Sequence, residues 1–189
     1  MKRLAACIAA LALASAPLAA ARDAPRGRHA EWAQVEVAFT PGDDVESLIA
    51  RCIGAARESV RMQAYLFTNA RIARALFAAL GRGIAVEVIG DARQYADRGL
   101  PWLDPLARAG ARVYLDDSAA ASHNKIVIVD GDGRDAVVVT GSYNFTRAAQ
   151  DHNAENVVVI RGSRAIAARF AANFRARRAG SLPWSRPPG

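Results

Sequence analysis

Lysine, histidine and cysteine are nearly missing from this chain. Among 189 residues only Lys2 and Lys125 are lysines, against 23 arginines, and there are three histidines and two cysteines. Each scarcity excludes something. Cys7 lies at the extreme N-terminus, so its removal with a leader leaves Cys52 alone and no intrachain disulfide can form. Cys52 falls on the apolar face of a predicted helix and reads as a buried, inert thiol. No spacing of histidines and carboxylates resembles a zinc or calcium site, so no metal is expected, and no cofactor. The apolar run at 4–18 is too short and alanine-rich for a convincing membrane span, and an uncleaved leader acting as an anchor is the less favoured alternative. Gly81-Arg82-Gly83 is not a phosphate loop, because it follows a predicted helix and precedes a predicted strand, the reverse of the order required.

The first residues have the anatomy of a secretory leader. Lys2 and Arg3 supply the positive start, 4–18 the apolar centre, and Ala19-Ala20-Ala21 the small residues for cleavage after Ala21. Leu4-Ala5-Ala6-Cys7 mimics a lipoprotein box but precedes the apolar run, so lipidation is not expected. The mature protein is expected in the periplasm or outside the cell. Loss of Lys2 and Arg3 lowers the formal net charge of +7 by two. The remaining basic balance favours polyanionic partners such as nucleic acid or anionic lipid, although a compositional preference for arginine would produce it too. The expected division is a signal peptide at 1–21, a flexible lead-in at 22–33, one domain at 34–178 and a disordered tail at 179–189.

Within the domain two periodicities alternate. Val35, Val37 and Phe39 alternate with polar residues as in a strand, which Thr40-Pro41-Gly42 ends. Asp43 or Asp44 can cap a helix whose stripe is Val45, Leu48, Ile49, Cys52 and Ile53. A second strand is predicted at 60–66, then a helix carrying Ile72, Leu76, Phe77 and Leu80, a strand at 84–89, a short helix at 103–109 and a strand at 112–115. The pattern then changes. Strands at 125–130 and 136–140 are joined by Gly131-Asp132-Gly133-Arg134, which has hairpin chemistry. A last strand is predicted at 156–160, and Ser163 can cap a helix carrying Ile166, Phe170 and Phe174. This order predicts an α/β fold, a mixed sheet with helices on both faces.

His123 and Lys125 stand two residues apart at the head of the 126–129 run. A chain that writes arginine nearly everywhere yet keeps one lysine beside a histidine fits a need for an ammonium, a compact charge that a guanidinium fork does not replace. The alternative is chance, since one lysine must fall somewhere. Residues two apart on a strand face the same side, so both can enter one pocket while Asn124 and Ile126 face away. The hairpin brings 141–144 alongside. Gly141 permits a tight turn and close backbone approach, and Asn144 offers an amide near the same pocket. Glu155, opening the next strand with Asn153 and Asn156, could accept a hydrogen bond from the imidazole and fix its tautomer.

His123-x-Lys125-x4-Asp130, followed by Gly141-Ser142-x-Asn144, resembles the motif of the phospholipase D superfamily. The longer string Thr140-Gly141-Ser142-Tyr143-Asn144-Phe145-Thr146, through Ala148-Ala149 to Asn153-Ala154-Glu155-Asn156, is especially similar to its small bacterial endonucleases, which carry one motif per chain. The resemblance covers roughly 34–178 and implies a phospholipase D/nuclease-like sandwich. It also implies roles. His123 attacks phosphorus and forms a phosphohistidine, Lys125 and Asn144 hold phosphoryl oxygens, Ser142 adds a bond to phosphate or backbone, and Glu155 orients His123. Asp130 and Gly141 are read as structural. One departure is that 131–134 lengthens the spacing from Asp130 to Gly141, so the place of Asn144 depends on the extra residues staying in the turn.

In-line displacement at phosphorus needs a nucleophile on one side and a proton donor on the other, and one imidazole cannot serve as both in the first step. His29 lies in the lead-in and His152 in a polar loop, Gln150-Asp151-His152-Asn153, where solvated side chains are expected. A two-fold homodimer that brings two copies of His123 to one phosphate supplies both groups, as the resemblance also implies. The expected protein is a secreted or periplasmic, metal-independent phosphodiesterase acting on nucleic acid, mainly DNA, with RNA open. Arg93, Arg98 and Arg147 are candidates for a basic groove. A phospholipid phosphodiesterase and a nucleic-acid-binding module with a decayed catalytic set are the alternatives. The single motif and the lack of an amphipathic membrane segment count against the first. The complete set of His123, Lys125, Asn144 and Glu155 counts against the second.

Overall fold

The computed structural model describes residues 33–99 and 101–184. The expected leader, and the lead-in up to residue 32, lie outside the described residues. The elements run β1 (Gln34–Thr40), α1 (Val45–Gly54), β2 (Ser59–Ala64), α2 (Ala70–Gly81), β3 (Ala85–Asp91), α3 (Ala92–Arg98), α4 (Leu103–Arg108), β4 (Arg112–Asp116), β5 (Lys125–Val129), β6 (Val137–Gly141), α5 (Arg147–Asp151), β7 (Glu155–Arg161), α6 (Arg164–Ala179) and β8 (Leu182–Pro183). The strands form one sheet in the order β1-β7-β6-β5-β2-β3-β4-β8. β2, β3 and β4 are parallel neighbours, as helical crossovers require. The hairpin half is antiparallel, and β5 joins it to β2. This is the mixed α/β sheet expected.

Helices cover both faces. α1 and α2 bury their stripes, Val45, Leu48, Ile49, Cys52 and Ile53 with Ile72, Leu76 and Ala79, on one face. That layer receives Val60, Met62, Val88, Val127, Val139 and Val159 from the strands. α6 covers the other face over Ile89, Ile126, Ile128 and Val138. β5 lies between them and all five of its residues are buried, which is why it reads as an unbroken apolar run. Asp44, Asn69, Asp91 and Ser163 cap their helices through side-chain oxygens that accept backbone N–H bonds. Cys52 is buried beneath α1, and burial pushes its thiol pKa up.

Four expectations need correction. α3 is a helix where the sequence predicts none, because none of its residues is buried and it has no apolar period. α5 is a single turn where a loop was expected. The buried seam of α6 is Ala167, Ala171 and Phe174, not Ile166 and Phe170, which are half-buried; small residues let the helix sit close to the sheet. The tail is ordered further than expected: Leu182–Pro183 pairs with β4, and the Trp184 indole donates to Tyr95 Oη at 3.2 Å.

The lengthened hairpin keeps its register. Ile126 pairs with Thr140, Val127 with Val139, Ile128 with Val138 and Val129 with Val137, so the extra residues stay in the turn. Asp130 explains how. It has the one positive non-glycine φ among the described residues, 49°. Its carboxylate accepts backbone N–H bonds from Arg57 at 2.9 Å, Glu58 at 2.8 Å and Ser59 at 2.9 Å. It ties the far end of β5 to the start of β2, about 16 Å from Lys125 at some 3.3 Å per residue. Asp130→Ala should lower stability by about 2–4 kcal/mol, since it strands three donors to a charged acceptor. Urea unfolding checks this, with kcat per folded molecule retained; a loss below about 1 kcal/mol would contradict it.

Candidate active site

β2 and β5 pair so that Ala64 lies opposite Lys125. The ladder continues one step beyond the strand, where Tyr65 N–H donates to Asn124 O at 3.2 Å. His123 therefore precedes β5 instead of belonging to it, yet the expected alternation persists. Asn124 turns to the α6 face, where its amide donates to the buried Gln63 Oε1 at 2.9 Å, and Gln63 donates in turn to Asn173 Oδ1 at 3.2 Å. His123 and Lys125 turn the other way together. The loop before them is pinned at Ser122, whose N–H donates to the buried Asp91 carboxylate at 2.7 Å. Asp116 lies opposite Asp91 on β4. Burial would raise its pKa, but bonds from Ser118 and Ser122 and the charge of Arg177 outweigh that and hold it low.

The Lys125 ammonium donates to His123 O at 2.8 Å and lies 3.0 Å from His123 Nδ1 and 3.1 Å from Nε2. A donor nearly equidistant from both nitrogens cannot lie in line with either lone pair, so it rests against the face of the imidazole. Both in-plane nitrogen positions stay open for chemistry. Tyr65 packs on the same pair: its ring centroid is 4.3 Å from that of His123, and the ammonium sits 4.9 Å from it. Tyr65 was not foreseen. Its place depends on the β2–β5 pairing, which no local pattern reveals.

The second half of the site comes from the turn after β6. Gly141, at φ +155°, lies so close to β7 that an added Cβ would collide with the Asn156 carbonyl. Only glycine fits there. Tyr143 and Phe145 then sink into the core on either side of Asn144. Phe145 O accepts N–H bonds from both Thr68 and Asn69 at 2.9 Å, which fixes the turn to the start of α2. Asn144 is left half-buried, with an Oδ1 that is shielded from solvent and has no hydrogen-bond partner. Such an atom marks a site shaped for something else. Ser142 Oγ accepts from Asn156 N at 3.0 Å and Nδ2 at 3.2 Å, bracing β7 while its own proton stays available.

Glu155 departs from expectation. Among the described residues no hydrogen bond joins it to His123; instead Glu155 Oε1 accepts from Asn153 Nδ2 at 3.0 Å. Its charge acts on Lys125. His123 is exposed and Lys125 only 6% exposed. Burial pushes the Lys125 ammonium below the ordinary lysine range, and Glu155 opposes that shift. His152 is exposed, with its backbone N–H capping α5, and His29 lies outside the described residues. Arg93 donates to Ala120 O at 2.8 Å, steadying the loop before Ser122. Among the described residues no cluster of three histidine, cysteine or acidic side chains could hold a metal ion. The arrangement offers an accessible imidazole against a fixed ammonium, with the Asn144 turn at the same end of the sheet: a nucleophile beside preset charge stabilisation.

The sign of the Lys125 shift yields a stability test. The unfolded chain binds this proton more tightly than the folded one, so the burial penalty is full below the folded pKa and fades as pH rises through it. Lys125→Met should therefore raise Tm at neutral pH by about 2–4 °C, the effect of roughly 1 kcal/mol in a domain of this size. The gap to wild type should narrow towards alkaline pH, and phosphodiester cleavage should be lost. A lower Tm at pH 7 would contradict the penalty.

Comparison with known proteins agrees with this geometry. Residues 49–178 match the family model described as "Cardiolipin synthase, PLD-like domain". A Rickettsia bellii protein named phospholipase D is 39% identical over 127 residues, which is 67% of this chain and 61% of that protein. The mitochondrial cardiolipin hydrolase of Xenopus tropicalis is 36% identical over 104 residues, 55% of this chain and 47% of that protein. The chain thus spans about half to three-fifths of the length of these two relatives. Nuc from Salmonella typhimurium, a phospholipase D family member of known crystal structure, superposes with a TM-score of 0.76 at 32% identity, covering 82% of this chain and 100% of Nuc. With its motif assembled on the family's sheet and the family model matched over most of its length, the chain belongs to the phospholipase D superfamily.

Proposed function

We propose that the protein is a metal-independent phosphodiesterase that cleaves nucleic acid, mainly DNA, in a site completed by two copies of the chain. The observation that supports this best is the pairing of one exposed imidazole with one buried ammonium, together with the absence of a second histidine beside them among the described residues. His123 attacks phosphorus with a ring-nitrogen lone pair. A P–N bond forms, the P–O bond to the leaving alcohol breaks, and the leaving oxygen takes the proton carried by His123 of the partner subunit. Water then attacks phosphorus, gives its proton back to the partner's His123, and the P–N bond breaks. Lys125 and Asn144 from both copies stabilise the equatorial charge. Nucleic acid is favoured by the basic balance of the chain and by the likeness of its 140–156 string to single-motif endonucleases. The leader would export the enzyme to the periplasm or beyond.

A second reading has its own support. Relatives carry the names phospholipase D and cardiolipin hydrolase. The edge strand β1 also exposes Val35, Val37 and Phe39 at 61%, 56% and 58%. Phe39 pairs with Asn156, next to the site, so this stripe could rest against a lipid surface. Among the described residues no helix is long and apolar enough to cross a membrane.

Incubation with supercoiled plasmid and with phospholipid vesicles, both in EDTA, separates the readings. The plasmid should be linearised and degraded at full rate and the vesicles left intact; loss of activity on chelation, restored by metal, or action on vesicles alone, would overturn the proposal. The pH–rate profile should be bell-shaped, one limb for each histidine. His123→Ala should lower kcat by at least about 10³-fold, and a variant turning over near the wild-type rate would refute the nucleophile.

A further inference from the structure

We infer that the cleft beside Asn144 is a second phosphate subsite, which takes the phosphate of the nucleotide adjoining the scissile diester. This deepens the nuclease reading and rests on it. The cleft has a volume of about 310 Å³, and its lining includes Asn144, Asn153, Thr68, Thr146, Arg98 and Arg147. Asn144 lines it, in the turn after β6, whose end lies beside the start of β5, so the cleft is at the same end of the sheet as His123. Among the described residues no acidic side chain lines it. Two guanidiniums with hydroxyl and amide groups make a lining suited to an anion.

Arg98 differs from many of the other arginines among the described residues. Arg61, Arg71, Arg112, Arg161 and Arg178 are engaged with glutamates, and Arg93 is tied to a carbonyl. Arg98, in the last turn of α3, is exposed, and among the described residues no carboxylate lies within 4.0 Å of it. Gly99, at φ 58°, then turns the chain back so that the α3 terminus faces the cleft. Arg147 does have a partner, Asp151 at 2.9 Å, but the contact is through Nε and the side chains are 87% and 36% exposed. A pair so open to water is weak and yields readily to a phosphate. The two cations come from α3 and α5, helices far apart in sequence, and both line the cleft.

A polynucleotide offers a second phosphate one nucleotide away from the first. Phosphatidylcholine offers none. Cardiolipin also has two phosphates, bridged by glycerol, so the chemistry the cleft would recognise is shared, and the vesicle arm of the test separates the two sources.

The test compares wild type, Arg98→Ala/Arg147→Ala and, as a control for lost charge outside the cleft, Arg108→Ala on α4. Three substrates are used: a 20-nucleotide single-stranded DNA, bis(p-nitrophenyl) phosphate with its single phosphate, and cardiolipin vesicles. For the double variant, kcat/KM on the oligonucleotide relative to bis(p-nitrophenyl) phosphate should fall about tenfold, mainly through KM, and the log–log salt dependence on DNA should become shallower by about 0.7, the single-strand value for one phosphate contact. Arg108→Ala should leave the ratio unchanged. Equal losses on both small substrate and DNA, no loss on either, or the same change in Arg108→Ala would overturn the subsite while leaving the nuclease reading intact. Wild-type protein that cleaves bis(p-nitrophenyl) phosphate or cardiolipin but not DNA would overturn both.

Discussion

Lys125 carries the one ammonium among the described residues, and it is held nearly out of water. Taking such a charge from solvent costs several kcal/mol unless it is compensated. Here the compensation is partial: one carbonyl, one aromatic face and the more distant charge of Glu155. What keeps the ammonium in place is the strand that bears it. β5 is paired on one side with β2 and on the other with β6, in fixed register. A one-residue slip would drive Lys125 into the α6 layer and turn an apolar neighbour into its place. A fixed, poorly hydrated charge needs no reorganisation when negative charge grows on a phosphoryl group, which is the condition for electrostatic catalysis.

The rest of the domain can be read as the support for that strand. Asp130 fastens its far end to β2. At the near end, Asp91 holds Ser122, and the Asn124–Gln63–Asn173 amides hold the residue between His123 and Lys125. Antiparallel pairing of β5, β6 and β7 brings the start of β5, the end of β6 and the start of β7 to one edge of the sheet. There, the absence of a side chain at Gly141 lets the Asn144 turn approach β7 closely. The motif's aspartate is thus a fastener at the other end of the strand, too far from the ammonium to share its chemistry.

Much of this was legible in the sequence, for reasons that differ by element. α1, α2 and β5 announce themselves because their buried positions recur with a clean period or form an unbroken run. The His123–Lys125 pair stood out by composition, and Asn144 and Gly141 by their motif. α3 lacked any buried residue and so lacked a signal. The choice between Phe170 and Ala171 as the buried face of α6 depended on how close the helix sits to the sheet, which periodicity does not encode. Tyr65 and Gln63 owe their roles to the non-local pairing of β2 with β5. Glu155 was read as the partner of His123, yet Asn153, two residues before it in the same chain, takes its hydrogen bond; a local amide competes well with an imidazole on a separate loop.

Among the described residues the exposed imidazole has no hydrogen bond to an orienting acid and no second histidine beside it, which makes it half of a mechanism. The missing half is proposed to be a second copy of the same group. The most direct test is to co-refold wild-type and His123→Ala chains in equal amounts and measure nuclease activity against an all-wild-type sample. If each active site needs His123 from two chains, random pairing leaves about one quarter of the activity of an all-wild-type sample at the same total concentration. Activity of about one half, the value for chains that act independently, would contradict the shared site.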